Sequence, residues 1–524
     1  MLQALRSVRP FTHTRAAAFR PIRIAKMTIS TNPPVKLNDP SLWITNPSFL
    51  DGQWTALPQH ETFDITNPAT GELIGKLPDM TVADTRDAIA AADKAFKTFS
   101  KTSPQQRANI LENFYRLTLE NKEDLATLIT LENGKSKTDA TVEAGFSAGF
   151  LQWNAGEALR LFGKVIPSAF PNTKSWTQIE PVGVVAALCP WNFPPGMVAR
   201  KVAAALAVGC TSVIKVPAET PFSVLAFVEL ARRAGVPPGV IQIVTTDKHL
   251  VGIGEELCTN PLVKKVSFTG STRIGKLLMQ HASGTLKHLS MELGGNAPLI
   301  IFEDADIDIA VKGTLVAKFR CSGQTCVCAN RIYVHESIYD KYSAALAAAV
   351  DKLVVGDGSQ DGVNMGPLVH ARAVEKCQSH VDDAVKRGAK ILTKPRPKRE
   401  GKLANGNFFD PVVLGDAPQD CLIADEETFG PVAALIKFKT EEEAIRLANN
   451  TDMGLAAYFY TKNQARTFRV ADQLQAGMVG VNSTSISHPT MPFGGFKESG
   501  FGKEGGPDSI LDYVQLKTVT VNIE

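Results

Sequence analysis

From residue 182 onward the chain repeats one pattern: a short apolar run, a helix-length segment, then another apolar run. The runs are Val184–Leu188, Thr211–Val216, Val240–Val244 and Val263–Phe268. The segments are Met197–Val208, a stretch capped by Thr220-Pro221 and reaching Ala234, and Ile274–Ala282. Strands buried on both faces read as continuous apolar runs, and helices between them supply crossovers. The pattern therefore predicts a parallel α/β sheet. A second α/β region is expected from about 300 to 490.

Upstream, residues 33–80 are rich in Pro, Gly, Asn and Asp and read as loops and short strands. Three helices should follow. Thr81–Lys101 has helical apolar spacing. Ser103-Pro104 supplies an N-cap and first position for a helix with Ile110, Leu111, Phe114 and Leu117 on one face. A third ends between Glu132 and Gly134. At the other end, Val519, Val521 and Ile523 alternate with Thr518, Thr520 and Asn522. Such a strand needs an edge to pair with, from a partner subunit or from the same chain.

A chain of 524 residues implies two to four domains. No run approaches the 18 apolar residues of a membrane span, and a net charge of +3 gives no reason to expect nucleic acid. The first acidic residue is Asp39. Ahead of it stand Arg6, Arg9, Arg15, Arg20, Arg23, Lys26 and Lys36, the composition of a mitochondrial presequence or of a basic tail. A matrix protein is expected, with Met27 as a second start for a cytoplasmic form. Eight cysteines without regular spacing point to a reducing compartment.

Several segments carry candidate chemistry. In Phe319–Cys328 stand Cys321, Cys326 and Cys328. A thiolate attacks carbonyl carbon, but needs a positive or dipolar setting to ionise near neutral pH. A buried structural cysteine is the bland alternative; a metal site is disfavoured without a nearby His or a Cys-x-x-Cys. Glu292 ends an apolar strand before two glycines, where desolvation makes a carboxylate a better base. Asn192, in Pro190-Trp191-Asn192-Phe193-Pro194, follows a buried strand and can donate to an oxyanion, or simply sit in a turn. Lys215 ends the next strand. Phe268–Gly275 joins a strand to a helix whose first amides can hold a diphosphate, although the G-x-G-x-x-G fingerprint is missing.

Taken in order, Pro190–Pro194, Phe268–Gly275, Glu292–Gly295, Gly323–Cys326, Glu427–Pro431 and Pro492–Gly495 resemble the aldehyde dehydrogenase superfamily over residues 40–524. The resemblance implies that Cys326 is the nucleophile and Glu292 the general base, with Asn192 and the Cys326 N–H as oxyanion hole. It implies that Lys215 and Glu427 bind ribose, that Gly270 and Ser271 sit by the pyrophosphate, and that Trp191, Leu293 and Phe429 line the nicotinamide region. The subgroup most resembled is succinate-semialdehyde dehydrogenase. Arg200, Arg320 and Ser487 match its substrate residues, and two arginines suit a carboxylate because the guanidinium fork binds it bidentately. Surface or ion-paired arginines are the alternative. Cys326 and Cys328 form a candidate disulfide switch.

Some positions depart from the subgroup. Cys321-Ser322 replaces Asn and a small residue, and His488-Pro489 replaces a polar pair beside Ser487. Ala218 stands where cofactor preference is read, and the adjacent Glu219 would repel a 2′-phosphate. NAD is expected, with NADP possible as cofactor. The fold implied is an aldehyde-dehydrogenase-like α/β subunit. Residues 39–162 and 182–300 form a Rossmann-like cofactor domain and 301–493 an α/β catalytic domain. Residues 163–181 and 494–524 form a β oligomerisation extension of a homodimer or homotetramer, after a leader at 1–38. Competing readings are a glutarate-semialdehyde or broad-specificity enzyme, a thiol hydrolase, and an idle binding protein.

Overall fold

The computed structural model describes residues 33–45, 48–50 and 52–524. Met27 and the basic leader up to residue 32 lie outside them. Four helices come first: Val82–Phe99, Pro104–Glu120, Lys122–Asn133 and Lys137–Ala158. The first two open on capping boxes, Thr81 with Asp84 and Ser103 with Gln106, which satisfy otherwise orphaned N–H groups. The third stops at Gly134, whose φ of 82° suits a residue without Cβ. The spacing predicts only three helices here. The fourth buries small Ala and Ser residues against Pro104–Glu120 and Pro194–Val208. Packed on two sides, it shows no single apolar stripe.

The first large sheet has six strands, in the order Gly500–Phe501, His288–Glu292, Val263–Thr269, Val184–Leu188, Thr211–Lys215, Ile241–Val244. All neighbours run parallel except the Gly500–Phe501 edge. Chain order reverses between Val184–Leu188 and Val263–Thr269. The loops leaving those two strand ends diverge there and open a crevice. One loop carries Trp191 and Asn192, the other Gly270 and Ser271.

The expected Thr220-Pro221 cap is not formed. Thr220 Oγ1 donates to the Trp191 carbonyl at 3.2 Å. The helix Phe222–Arg233 is capped instead by Glu132, whose carboxylate accepts the N–H groups of Phe222 at 2.6 Å and Ser223 at 2.9 Å.

A second sheet has seven strands, in the order Lys390–Ile391, Val412–Gly415, Val432–Phe438, Ala329–His335, Ala297–Ile301, Ala456–Tyr460, Met478–Val481. It too is parallel except for its first edge strand. Its strand Ala297–Ile301 lies ahead of the division expected at 300. Glu292 ends a strand of one sheet and Ala297 begins a strand of the other, with only Leu293–Asn296 between. That short joint ties the carboxyl edge of the first sheet to the amino edge of the second.

The C-terminal strand Val514–Asn522 pairs antiparallel with Thr173–Pro181 of the same chain, with Val165–Ile166 beyond it. Its edge is thus supplied in cis, not by a partner subunit. Most of its residues remain exposed. The stretch 494–524 does not act as one unit, because Gly500–Phe501 joins the first sheet. Among the described residues, no helix is long and apolar enough to cross a membrane.

Candidate active site

The helix Ile307–Phe319 is followed by three successive left-handed residues: Cys321 (φ 51°), Ser322 (φ 57°) and Gly323 (φ 73°). Such a conformation costs a Cys or Ser about 1–2 kcal/mol, so the turn must be held from outside. Asp139 Oδ2 accepts the Cys321 N–H at 3.1 Å, and Ser322 Oγ donates to the Gly366 carbonyl at 2.8 Å. Beyond the turn, half-buried Cys326 lines a cavity of about 200 Å³, and Cys321 lines it as well.

The setting of Cys326 is not the cationic one expected. Burial pushes its thiol up to about 12, with the Glu427 and Glu292 carboxylates working in the same direction and Arg200 against them. For this sulfur to attack a carbonyl, a base must take its proton. Glu292 is near enough for its charge to act on the thiol. It is buried, and neither carboxylate oxygen has a hydrogen-bond partner within the protein. Burial, and then the charge of Glu504, raise its proton affinity well above that of an ordinary glutamate.

Asn192 is buried at the crevice. Its Nδ2 donates to the Gln324 carbonyl at 3.1 Å, two residues before Cys326, and its Oδ1 has no partner. Beneath it, Lys135 forms a buried ion pair with Glu143 and donates to the Asn192 carbonyl. The Asn192 backbone is thereby fixed beside the Cys326 loop.

Arg200, Arg320 and Ser487 all line the Cys326 cavity, with Phe193, Phe493 and Tyr458. The two arginines differ. Arg200 is buried, with Nε 3.1 Å from Glu504 Oε2 in an ion pair not aligned as a hydrogen bond. Arg320 is exposed and has no ion-pair partner among the described residues. Cys328 turns away: its thiol lies 3.6 Å from the Lys318 carbonyl, and both it and Cys326 are free thiols.

The remaining predicted residues gather at the crevice of the first sheet. Lys215 ends its strand with no ion-pair partner among the described residues. Burial lowers its proton affinity, against the pull of Glu219. Glu219 itself faces His370 Nε2 at 3.1 Å, and half-buried Ala218 precedes it. Trp191 stands edge-on to Phe429, with ring centroids 5.6 Å apart. Gly270 gives its N–H to the Glu292 carbonyl. Ser271 occupies the N-cap of the helix Thr272–Ala282 without making a side-chain capping bond. A free lysine and an uncapped helix amino end suit an anion such as a diphosphate. Leu293 lies deeper, packed where a Cβ on Gly275 would strike it. Glu427 Oε1 accepts the Gly295 N–H at 3.2 Å, and burial raises its carboxyl to about 7.

Four charged groups at the site escaped the sequence reading: Lys201, Glu504, Lys135 and Glu143. Lys201 donates to Thr269 Oγ1 at 2.6 Å and pairs with Glu504. The available signal was the adjacent Arg200 and Lys201 in the otherwise apolar run Val198–Val208.

Residues 54–519 match the sequence profile of the aldehyde dehydrogenase family. The chain is 47% identical over 476 residues to a glutarate-semialdehyde dehydrogenase of Pseudomonas putida, covering 91% of this chain and 98% of that one. It is 45% identical over 489 residues to an Escherichia coli succinate-semialdehyde dehydrogenase named for NADP(+), covering 93% and 100%. A crystal structure of succinate-semialdehyde dehydrogenase from Burkholderia pseudomallei superposes with a TM-score of 0.90 at 46% identity, covering 93% of this chain and all of that one.

Proposed function

The chain belongs to the aldehyde dehydrogenase family, and on that premise we propose that it oxidises succinate semialdehyde to succinate with NAD(P). The observation that carries the substrate is the unpaired Arg320 on the same cavity wall as Cys326.

Cys326 adds through sulfur to the aldehyde carbon while its proton passes to a base. The new oxyanion is held by Asn192 Nδ2 and the Cys326 N–H, fixed donors that need no reorganisation. The first of these keeps one N–H on the Gln324 carbonyl and has a second to offer. A nicotinamide dinucleotide fits the donors present: Lys215, Gly270, Ser271 and the amino end of Thr272–Ala282 for the ribose and diphosphate, Glu427 for the second ribose, and Trp191, Leu293 and Phe429 around the ring. When bound, it supplies the hydride acceptor that turns the thiohemiacetal into a thioester. Glu292 then takes a proton from the water that attacks the thioester, releasing the acid and the thiol. Arg200, Arg320 and Ser487 form the wall that receives the substrate carboxylate.

The test is kcat/KM, read at 340 nm, for succinate semialdehyde, glutarate semialdehyde and butanal with each dinucleotide. Preference for the four-carbon semialdehyde is expected, and loss of turnover in Cys326→Ala. Equal rates with butanal would sink the substrate reading. A second reading, glutarate semialdehyde, is favoured by the Pseudomonas relatives at 47% identity, and the same panel decides it.

Four further features belong to this reading. The three-part division into cofactor domain, catalytic domain and β extension is supported by the six-, seven- and three-stranded sheets, with Gly500–Phe501 counted to the first. The exposed Phe170, Val165 and Leu516 on or beside the small sheet supply the apolar surface of a homodimer or homotetramer, to be read by light scattering. The basic leader directs the chain to the mitochondrial matrix, with translation from Met27 giving a cytoplasmic form. Fractionation of tagged chains starting at Met1 and Met27 separates the two. Peroxide joins the Cys326 and Cys328 thiols as a disulfide with release of two waters. The parent should then lose activity and regain it with thiol. If Cys328→Ala behaves identically, the switch is wrong.

A further inference from the structure

The helix Ala371–Lys386 buries Cys377, Val381 and Ala384 in the core of the second sheet, yet its contacts reach the crevice of the first. At its amino end, His370 stands edge-on to Trp191 with ring centroids 5.6 Å apart, and His370 Nε2 lies 3.1 Å from Glu219 Oε1. Further along, Lys376 donates to the Glu427 carbonyl at 2.5 Å. Cys377 packs so closely that a Cβ on Gly430 would overlap its sulfur. His380 Nδ1 is 3.1 Å from Thr428 Oγ1. One helix thus touches most of the segment Glu427–Gly430 and reaches Trp191 besides.

That segment needs holding. Phe429 has a φ of 55°, a left-handed conformation that an aromatic residue keeps only when its surroundings impose it. Asn330 Oδ1 accepts the Thr428 N–H at 3.2 Å, and His380 takes the Thr428 side chain. His380 is buried. The charged groups that face it are Lys376, Glu426, Lys318 and Asp383. Burial, and then the Lys376 ammonium, hold the imidazole below its ordinary value of 6.5, so at pH 7 the ring is mostly neutral. Ionised Glu426, with Oε2 3.5 Å from His380 Nε2, can only accept a proton. The ring proton therefore belongs on Nε2, and Thr428 Oγ1 donates to Nδ1.

We propose that the helix Ala371–Lys386 sets the dinucleotide crevice from the side of the second sheet, with His380 as a positioning residue that fixes Glu427 and Phe429 through Thr428. The proposal rests on the placing of Glu427 and Phe429 at the cofactor under the function proposed above. His380 lies behind the segment, and its hold on Thr428 keeps the peptide between Glu427 and the left-handed Phe429 from relaxing. Among the described residues, none of this helix lines the Cys326 cavity, so the effect falls on the dinucleotide and not on the aldehyde.

The experiment measures, by isothermal titration, the Kd of whichever of NADH and NADPH binds the parent more tightly, together with KM for dinucleotide and for aldehyde. The variants are His380→Leu, His380→Asn, Thr428→Val, the double variant His380→Leu/Thr428→Val, and Glu427→Gln. His380→Leu should weaken dinucleotide binding roughly three- to tenfold, the worth of one neutral hydrogen bond, and raise the dinucleotide KM in step, with the aldehyde KM within about twofold. His380→Asn, whose amide can accept from the Thr428 hydroxyl, should recover most of the loss. Thr428→Val should lose as much as His380→Leu, and the double variant no more than either, because the two side chains make one contact. Thr428→Val removes only a hydroxyl and keeps the test readable if His380→Leu folds poorly. An unchanged Kd in His380→Leu and Thr428→Val, with only the unfolding temperature lowered, overturns the proposal, and so do additive losses in the double variant. If Glu427→Gln binds dinucleotide as the parent does while Thr428→Val does not, the ribose role of Glu427 falls and the positioning of Phe429 stands.

Discussion

Gly295 lies so close against the Cys326 carbonyl that a Cβ on it would overlap that oxygen. The same residue gives its N–H to Glu427 at 3.2 Å. One glycine in the joint between the two sheets therefore touches both the backbone of Cys326, the proposed nucleophile, and the carboxylate proposed for the cofactor ribose. Its neighbour Gly294 is similarly confined, with Glu427 Oε2 and Thr272 Oγ1 each 3.3 Å from where a Cβ would stand. The register between base, nucleophile and cofactor crevice is set at van der Waals contact.

Gly295→Ala should therefore displace the Cys326 loop. Misplacing a reacting group by about 1 Å can cost on the order of a hundredfold in rate, and a loss of that size in kcat/KM is expected. Thermal unfolding should move much less than activity. A variant with parental kcat/KM would show that the contact does not position the nucleophile.

The base carries its own pH signature. Burial and the Glu504 charge raise the proton affinity of Glu292, so its carboxylate forms at higher pH than that of an ordinary glutamate. Its ability to activate water grows as pH rises. We expect kcat to climb with pH on a limb lying above the range of an ordinary glutamate. Glu292→Gln should flatten the limb and lower kcat about 10²–10⁴-fold, the usual range for a general base. A limb that survives in Glu292→Gln assigns it to another group.

What the sequence made legible was what depends on near neighbours. The strands of the first sheet are readable because Val184–Leu188 and its companions are buried on both faces, and Glu292 is placed by the strand that it ends. The helix Lys137–Ala158 escaped because its small residues pack on two sides and give no stripe. The cap on Phe222–Arg233 escaped because Glu132 stands 90 residues before Phe222. Likewise the pairing of Glu504 with Lys201, 303 residues away, leaves no local trace. The pairing edge of Val514–Asn522 lies equally far away in the chain, and alternation alone cannot say whose edge it is. Periodicity reports which face of an element is buried; it does not report which distant charge meets which.

The proposed cofactor preference turns on Glu219. Its carboxylate is engaged with His370 and lies near Lys215, the lysine proposed to bind the cofactor ribose. One like charge at about 4 Å in a water-like medium is worth roughly 1 kcal/mol, or about fivefold. Glu219→Gln should raise the ratio of kcat/KM for NADP over NAD by about that factor, more where water is excluded. An unchanged ratio would place the 2′-hydroxyl region elsewhere in the crevice.

Glu427 links the site to stability. Its carboxyl is raised by burial to about 7, from an ordinary value of 4.5. The folded state thus holds the proton more tightly than the unfolded chain. The associated stability is fully present below about 4.5 and is lost as pH rises through about 7. The upper bound of that loss is roughly 3 kcal/mol, at 1.36 kcal/mol per unit. Glu427→Gln, which cannot ionise, should unfold at a higher temperature than the parent at pH 8, with the advantage shrinking towards pH 5. Parallel melting curves across that interval would mean that Glu427 is ionised throughout, held by the Gly295 N–H and the ammonium groups of Lys376 and Lys318.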